Sequence, residues 1–79
     1  MKQIYYYGFT CKSTDVEECV NILTPAFILY GDLKNVEIKD VENDEKHKGF
    51  VFILETDRRT ANKLGKIIGA TKVGNYFVR

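Results

Sequence analysis

The segment Lys48-Gly49-Phe50-Val51-Phe52-Ile53 constrains the fold of this chain most. Successive side chains of a β-strand point to opposite faces of the sheet, so Phe50 and Phe52 share one face and Val51 and Ile53 the other. We expect the aliphatic pair to face the core and the two phenylalanines to stand on an open surface. Exposed phenylalanines lower solubility unless a flat partner stacks on them, and nucleic-acid bases are flat. The segment therefore predicts a half-open sheet with an aromatic binding surface.

Length and composition favour one small domain over residues 1–79. The chain has 79 residues, 44% of them hydrophobic, and a formal net charge of +1, which suits a single core and argues neither for nor against a polyanionic partner. No apolar run approaches the roughly 20 residues needed to cross a bilayer. Met1-Lys2 leads directly into a strand-like segment rather than a secretory signal. We expect a monomer with no membrane contact.

The cysteines and the histidine give no sign of a metal or a catalytic site. Cys11 and Cys19 are the only cysteines and His47 the only histidine. A soft-metal site would place two cysteines two or three residues apart, and this spacing does not occur. Two reduced thiols, no cofactor and no metal are the expectation. His47 has no acid, base or nucleophile at a useful spacing, so an enzyme such as a small ferredoxin-like hydrolase is the weakest alternative.

The first half of the chain predicts a strand followed by a helix. Residues 3–8 are rich in β-formers and end at a glycine. Thr14-Asp15-Val16-Glu17 has the spacing of a capping box, which starts a helix. Pro25 cannot donate to the carbonyl four residues back, so we expect a kink or a break there, with Thr24 capping a second piece that ends at Gly31. The apolar stripe predicted to face the sheet is Val16, Val20, Leu23, Phe27 and Tyr30.

The second half predicts a hairpin, a helix and a last strand. Alternation at Val36 and Ile38 indicates a second strand, and residues 48–54 form the third after a polar turn. A second helix over about 57–68 is capped by Thr56 or Asp57 and closed by Gly69. The turn Gly74-Asn75 leads to a strand over 76–79. This order is the ferredoxin-like βαββαβ arrangement, an α+β fold with a four-stranded antiparallel sheet, spatial order 4-1-3-2, and two helices on one face.

The expected core follows from these elements. For the last strand we expect Tyr76 and Val78 to point inward and Phe77 and Arg79 to lie on the open face, because burying an unpaired arginine is costly. The full inward set is predicted to include Ile4, Tyr6, Val20, Leu23, Phe27, Val36, Ile38, Val51, Ile53, Ala61 and Leu64.

Two motifs resemble those of the RNA recognition motif family. The segment 48–53 resembles its octapeptide, and Ile4-Tyr5-Tyr6-Tyr7-Gly8-Phe9 resembles its hexapeptide. The resemblance covers essentially the whole chain and implies that Tyr5, Phe50 and Phe52 stack bases while Lys48 holds phosphate. Leu54-Glu55 departs from the family pattern, so the strand ends or bulges at Leu54 or Glu55 lies at the rim. The complete predicted set for single-stranded RNA is Tyr5, Tyr7, Lys46, Lys48, Phe50, Phe52 and Arg79.

A narrower resemblance and an alternative complete the prediction. Residues 45–50, with Ala26-Phe27-Ile28, resemble the N-terminal RNA recognition motif of the nuclear cyclophilin E group. This implies a nuclear role in RNA processing or splicing, with RNA and a protein partner; the isomerase domain of that group is not in this chain. The alternative is a protein-binding module with weak or no RNA binding. An exposed apolar surface on the first helix would favour it. Whether the basic clusters around 46–48 and 58–66 touch phosphate stays open, because charge runs are usually solvated.

Overall fold

The computed structural model describes residues 1–79 as an α+β protein with two helices and one five-stranded mixed sheet. A short 3-10 turn at Ser13–Asp15 precedes the first helix. Helix α1, the longer one, has 15 residues, and neither helix is long and apolar enough to cross a membrane. The elements are β1 (Lys2–Lys12), α1 (Val16–Tyr30), β2 (Asp32–Val41), β3 (Asp44–Asp57), α2 (Arg58–Ile67), β4 (Thr71–Val73) and β5 (Tyr76–Val78).

The sheet has the strand order β2-β3-β1-β5-β4. Strand β3 runs antiparallel to both β1 and β2, which confirms the predicted placement of the first three strands. The C-terminal part differs from the predicted four-stranded antiparallel sheet. Residues 71–73 form a strand of their own, and the two-residue turn Gly74-Asn75, with Gly74 at φ 61°, reverses the chain. As a result β5 returns in the opposite direction and pairs in parallel with β1.

The core is an aromatic layer between the sheet and the helices. Tyr7 of β1 lies opposite Phe52 of β3, and both rings face the helices. The Phe27 ring of α1 stacks on Phe52 with centroids 4.1 Å apart, and the Phe77 ring of β5 stacks on Tyr7 at 4.6 Å. The buried hydrophobic residues are Tyr5, Tyr7, Phe27, Phe50, Phe52, Leu54, Ala61, Leu64 and Phe77.

Helix α1 is continuous across its proline. The predicted break at Pro25 is wrong, because the helix extends unbroken to Tyr30 and Thr24 does not cap a second piece. The Thr24 hydroxyl instead donates to the Val20 carbonyl at 2.6 Å inside the helix. The predicted capping box is also wrong, since the N-cap residue is Asp15 and its side chain makes no capping hydrogen bond.

Helix α2 begins and ends as its sequence predicts. The Asp57 carboxylate accepts hydrogen bonds from the Thr60 backbone N–H at 2.8 Å and from the Thr60 hydroxyl at 2.9 Å. These bonds hold the pKa of Asp57 below its usual value. At the other end Gly69 has φ 70°, the left-handed conformation that closes helices. Between them, Gly65 lies so close to β5 that a Cβ atom there would overlap the Phe77 ring.

The faces of β1 and β3 are reversed relative to the prediction. Phe27, Ala61 and Leu64 are buried as predicted, and Val20, Leu23 and Val36 pack partly against the core. Ile38 lies on the helix side of the edge strand β2 but stays exposed. The predicted inward orientation is wrong for four residues, which lie on the face away from the helices: Ile4, Tyr6, Val51 and Ile53.

Glycine positions explain why the aromatic face is buried. Gly8 lies on the same face as Tyr6, and Gly49 on the same face as Val51. Burying that face would leave two gaps in the core and would bring in the Glu55 carboxylate, which lies opposite Ile4. The opposite face offers an uninterrupted set of large rings, and each aromatic side chain removes about 150–250 Å² from water. The larger and more complete apolar surface therefore faces the helices.

The orientation of β5 also differs from the prediction. Phe77 is buried while Tyr76 and Val78 are exposed. Arg79 lies on the helix side, where its guanidinium donates to the Ile68 carbonyl at the end of α2 at 2.7 Å. The guanidinium stays at the surface, so no charge is buried. The argument against an inward register therefore does not apply to this strand.

Candidate nucleic-acid interface

The aromatic residues predicted to bind bases are part of the core. Tyr5, Tyr7, Phe50 and Phe52 are each at most 2% exposed, so none of them presents a ring to solvent. The Tyr7 hydroxyl donates to the Ala61 carbonyl of α2 at 2.8 Å. Burial, and then the nearby Tyr5, raise the pKa of the Tyr7 hydroxyl above its usual range. The predicted open position of this set is therefore wrong.

The predicted phosphate-binding cations do not lie together. Lys46 and Lys48 lie near the β2–β3 turn, where the Lys48 ammonium pairs with the Asp40 carboxylate at 3.2 Å. Arg79 lies at the end of β5 beside α2. Lys48 is five residues along β3 from Ile53, the partner of Tyr6, which is about 17 Å in an extended strand. Lys48 is therefore remote from Tyr6, and both Lys48 and Arg79 are engaged by oxygen atoms of the protein.

The open face of the sheet carries a different aromatic pair. Tyr6 of β1 lies beside Tyr76 of β5, and the two rings stack with centroids 4.7 Å apart and planes 16° from parallel. Tyr76 is 54% exposed. Aliphatic residues surround the pair on the three inner strands, namely Ile4, Val51, Ile53 and Val78. We call this surface the tyrosine face.

Ion pairs border the tyrosine face along β2. Lys39 lies 3.8 Å from Glu37, and Lys34 lies 2.7 Å from Asp32 and 3.6 Å from Glu55. Hydrogen bonding and attraction from Asp32, with a smaller effect of Glu55, raise the pKa of Lys34. Strand β3 continues past Leu54 with Glu55 paired on both sides, and the irregularity lies in β2, between Leu33 and Asn35. The β2 side of this face is therefore close to neutral.

Positive charge is concentrated at the C-terminal end of the chain. Residues 58–79 include six lysines and arginines and no aspartate or glutamate, whereas residues 1–57 hold all eleven acidic residues. None of these six cations takes part in an ion pair. Five of them lie on the outer side of α2 and on β4, and we call them the basic band: Arg58, Arg59, Lys63, Lys66 and Lys72.

Helix α1 leaves apolar side chains on its outer surface. Ile22, Ile28 and Leu29 are exposed, Leu29 at 83%. Ile22, Pro25 and Leu29 follow one another at three and four residues, so they form one stripe along the helix. This stripe is the feature expected of the protein-binding alternative.

The two thiols lie between β1 and α1. Cys11 and Cys19 are both free and line an open cleft of about 560 Å³ together with Phe9 and Leu23. Burial, and then Cys19, raise the pKa of the Cys11 thiol, which makes it a weak nucleophile. No three histidine, cysteine, aspartate or glutamate side chains come together in a way that could hold a metal ion.

Sequence reasoning missed the tyrosine face and left the role of the basic residues on α2 open. The signal for the tyrosine face was the position of the two glycines, Gly8 and Gly49, on the side predicted to be buried. The signal for the basic band was the complete absence of acidic residues after Asp57. Comparisons with known proteins add nothing to either, since no protein-family model, no curated protein and no solved structure matches this chain. The function is therefore argued from the surfaces alone.

Proposed function

We propose that this protein binds single-stranded RNA on the tyrosine face of its sheet. The observation that carries the proposal is the stacking of the half-buried Tyr6 on the exposed Tyr76, on a sheet surface that no helix covers. The function is the one that the resemblance to the RNA recognition motif implies, on an α+β fold with two helices and a five-stranded mixed sheet. The proposed binding residues differ from those that the resemblance implies, because the aromatic rings of the two motifs lie in the core.

The tyrosine face has the chemistry that an unpaired base needs. Stacking a base on an aromatic ring contributes about 1–3 kcal/mol and requires only a π-face. Tyr76 is 54% exposed although its ring stacks on Tyr6, so a base can add to a stack that already exists. The aliphatic residues Val51 and Ile53 lie beside Tyr6 on the same face and offer apolar contact to a neighbouring base or ribose.

The test is the affinity of the full chain for short uridine-rich and adenine-rich RNAs. Tyr76→Ala removes the outer ring without opening the core, so binding should weaken by about 1–3 kcal/mol, on the order of five- to 150-fold. Tyr76→Phe keeps the ring and should bind nearly as the parent does. Val78→Ala is the matched control, because Val78 lies on the same strand and face with similar exposure but has no π-face.

An amide chemical-shift titration with the same RNAs locates the contact. Shifts should concentrate at Tyr6, Ile53 and Tyr76 rather than at the buried Phe50 and Phe52. If neither RNA shifts these positions at low salt, the tyrosine face is not an RNA surface. The protein-binding function would then replace this proposal.

The apolar stripe of α1 supports that second candidate. Ile22, Pro25 and Leu29 present a surface that RNA does not require and that a protein partner would cover. Replacing Leu29 with lysine should abolish association with such a partner and leave RNA affinity unchanged. A variant that loses RNA affinity instead would show that α1 serves the RNA site.

Three further expectations from the sequence stay predictions. The nuclear location, the role in RNA processing or splicing and the lack of enzymatic activity follow from the resemblance or from the residue pattern. No surface feature described above bears on them. They form part of the proposal only as the setting in which an RNA-binding module of this kind would act.

A further inference from the structure

We propose that the basic band is a second contact surface for the same RNA strand, which leaves the tyrosine face over the edge of β4 and continues along α2. This inference rests on the proposed function. It adds a path for the RNA backbone and a minimum length for the RNA.

The charges of the band are unfavourable for the protein alone. Arg59 and Lys63 are four residues apart on α2, and Lys63 and Lys66 three, and like charges at these spacings destabilise a helix. Arg58 and Arg59 also lie in the first turn, where the helix dipole favours negative charge. None of these cations forms an ion pair, and the nearby Asp57 carboxylate, which lines a depression with Arg58 and Arg59, is engaged as the helix cap by Thr60. A bound polyanion would relieve all of these repulsions.

The surface between the cations is concave. Arg58, Arg59, Lys63 and Lys66 line an open depression of about 490 Å³. Lys66 also lines a second depression of about 310 Å³, which it shares with Lys72 and Phe77. The two depressions share Asn62 and Lys66, so they adjoin, and we call them together the groove; their lining residues extend from the start of α2 to β4. Over its 10 residues α2 extends about 15 Å, enough for several phosphates of an extended strand.

Strand β4 connects the groove to the tyrosine face. It is the edge strand of the sheet and has three exposed residues. Lys72 lies opposite Phe77 and points to the helix side, with its ammonium 5.9 Å from the Phe77 ring centroid. The next residue, Val73, lies opposite Tyr76 and points to the tyrosine face. A strand stacked on Tyr76 therefore has to cross only one β-strand, about 5 Å, to reach the first cation of the band.

This geometry favours a single strand over a duplex. A path that turns over a sheet edge within a few residues requires a flexible backbone, whereas duplex nucleic acid is stiff over about 150 base pairs. A single strand can follow both surfaces, with bases on the tyrosine face and phosphates along α2. The RNA footprint should then be longer than the roughly two or three nucleotides that stack on a sheet surface of this kind.

The test compares a uridine tetranucleotide with a uridine decanucleotide on the full chain. The parent should bind the longer RNA more tightly, with a steeper salt dependence. The double substitution Lys63→Gln and Lys66→Gln should remove this length gain and reduce the slope of log K against log salt by about 1.4, or 0.7 for each lost phosphate contact. It should leave tetranucleotide binding unchanged. The control Lys12→Glu makes the same change in net charge, two units, at the other end of the sheet.

Three other outcomes would each contradict the inference. If the α2 variant and the charge-matched control weaken binding of the decanucleotide equally, only the net charge of the protein matters. Equal loss for both RNA lengths would show that α2 is not a second surface. Equal binding of a ten-base-pair RNA duplex, lost in the α2 variant, would make the band a duplex site.

Tyr76→Ala, measured with the same two RNAs, separates this inference from the proposed function. If Tyr76→Ala weakens the binding of both RNAs while the α2 variant weakens the binding of neither, the proposed function stands and only the path over β4 is wrong. If Tyr76→Ala weakens the binding of neither RNA, both the proposed function and the path over β4 are wrong.

Discussion

At the scale of single residues, the faces of β1 and β3 are decided by the completeness of an apolar surface. Both faces carry hydrophobic side chains, so alternation alone does not select one. Phe50 and Phe52 are buried because they continue a layer with Tyr7 and Phe77, whereas Val51 shares its face with Gly8. The prediction from the motif put these rings on the open face by analogy with a known family. The glycine positions and the size of the rings explain why packing puts them in the core.

Truncation of a buried ring tests this assignment. Phe52→Ala should destabilise the fold by about 3–5 kcal/mol, because it opens a cavity against the stacked ring of Phe27. This is a large share of the free energy of unfolding of a small domain. Val51→Ala, one residue away on the tyrosine face, should have a much smaller effect. Urea denaturation of both variants gives the comparison, and a larger loss for Val51→Ala would contradict the orientation described above.

At the scale of elements, the two helices differ in how well their bounds could be predicted from the sequence. The Asp57 cap and the closing Gly69 of α2 could be predicted, because each depends on one local interaction. The continuity of α1 could not. Pro25 removes one backbone hydrogen bond, but the buried Phe27 in the following turn holds the helix against the sheet. Tertiary packing thus outweighs a local signal, as it does for helices in general.

The contact of α2 with β5 leads to a prediction for Gly65→Ala. Alanine improves helix propensity by about 1 kcal/mol. The added methyl group would overlap the Phe77 ring, and overpacking of a filled core costs about 1–3 kcal/mol. The second effect should dominate, so thermal unfolding should occur at a lower temperature. The double variant with Phe77→Leu measures the coupling between the two sites. Equal effects of Gly65→Ala in both backgrounds would exclude the overlap as the cause.

The cap of α2 leads to a prediction about pH. Hydrogen bonds from Thr60 lower the pKa of Asp57 from its usual value of 3.8 in the folded state. The stability that this shift provides is therefore present above about pH 4, and it is lost as the pH falls through the lower folded value. Asp57→Asn keeps an effective cap without the titrating group.

Thermal unfolding between pH 7 and pH 2 checks this prediction. Near pH 7 the parent should be at least as stable as Asp57→Asn, and its advantage should shrink or reverse between pH 4 and pH 2. The other carboxylates titrate in both proteins, so the difference between the two curves isolates Asp57. Parallel curves over the whole range would show that the cap does not contribute to acid sensitivity.

At the scale of the whole molecule, the sequence predicted the order of the first five elements and the positions of β1, β3 and β2 in the sheet. It did not predict the five-stranded mixed sheet. The cause is a strand of only three residues, Thr71–Val73, whose signal is weak by itself. The turn Gly74-Asn75 was recognised, but a two-residue turn between short β-forming runs indicates a hairpin. Because β4 precedes the turn, the last strand runs in the direction opposite to the predicted one, and it pairs with β1 in parallel rather than antiparallel.

The position of β5 has a consequence for how the chain is made. Residues 76–78 leave the ribosome after every other strand, yet they lie in the interior of the sheet between β1 and β4. Until they emerge, β1 has an unpaired edge, and the place of Phe77 between Tyr7 and Gly65 is empty. A nascent chain in this state can pair its open edge with another chain. A chaperone that covers the edge of β1 would therefore be most useful until residues 76–78 have emerged and paired with it.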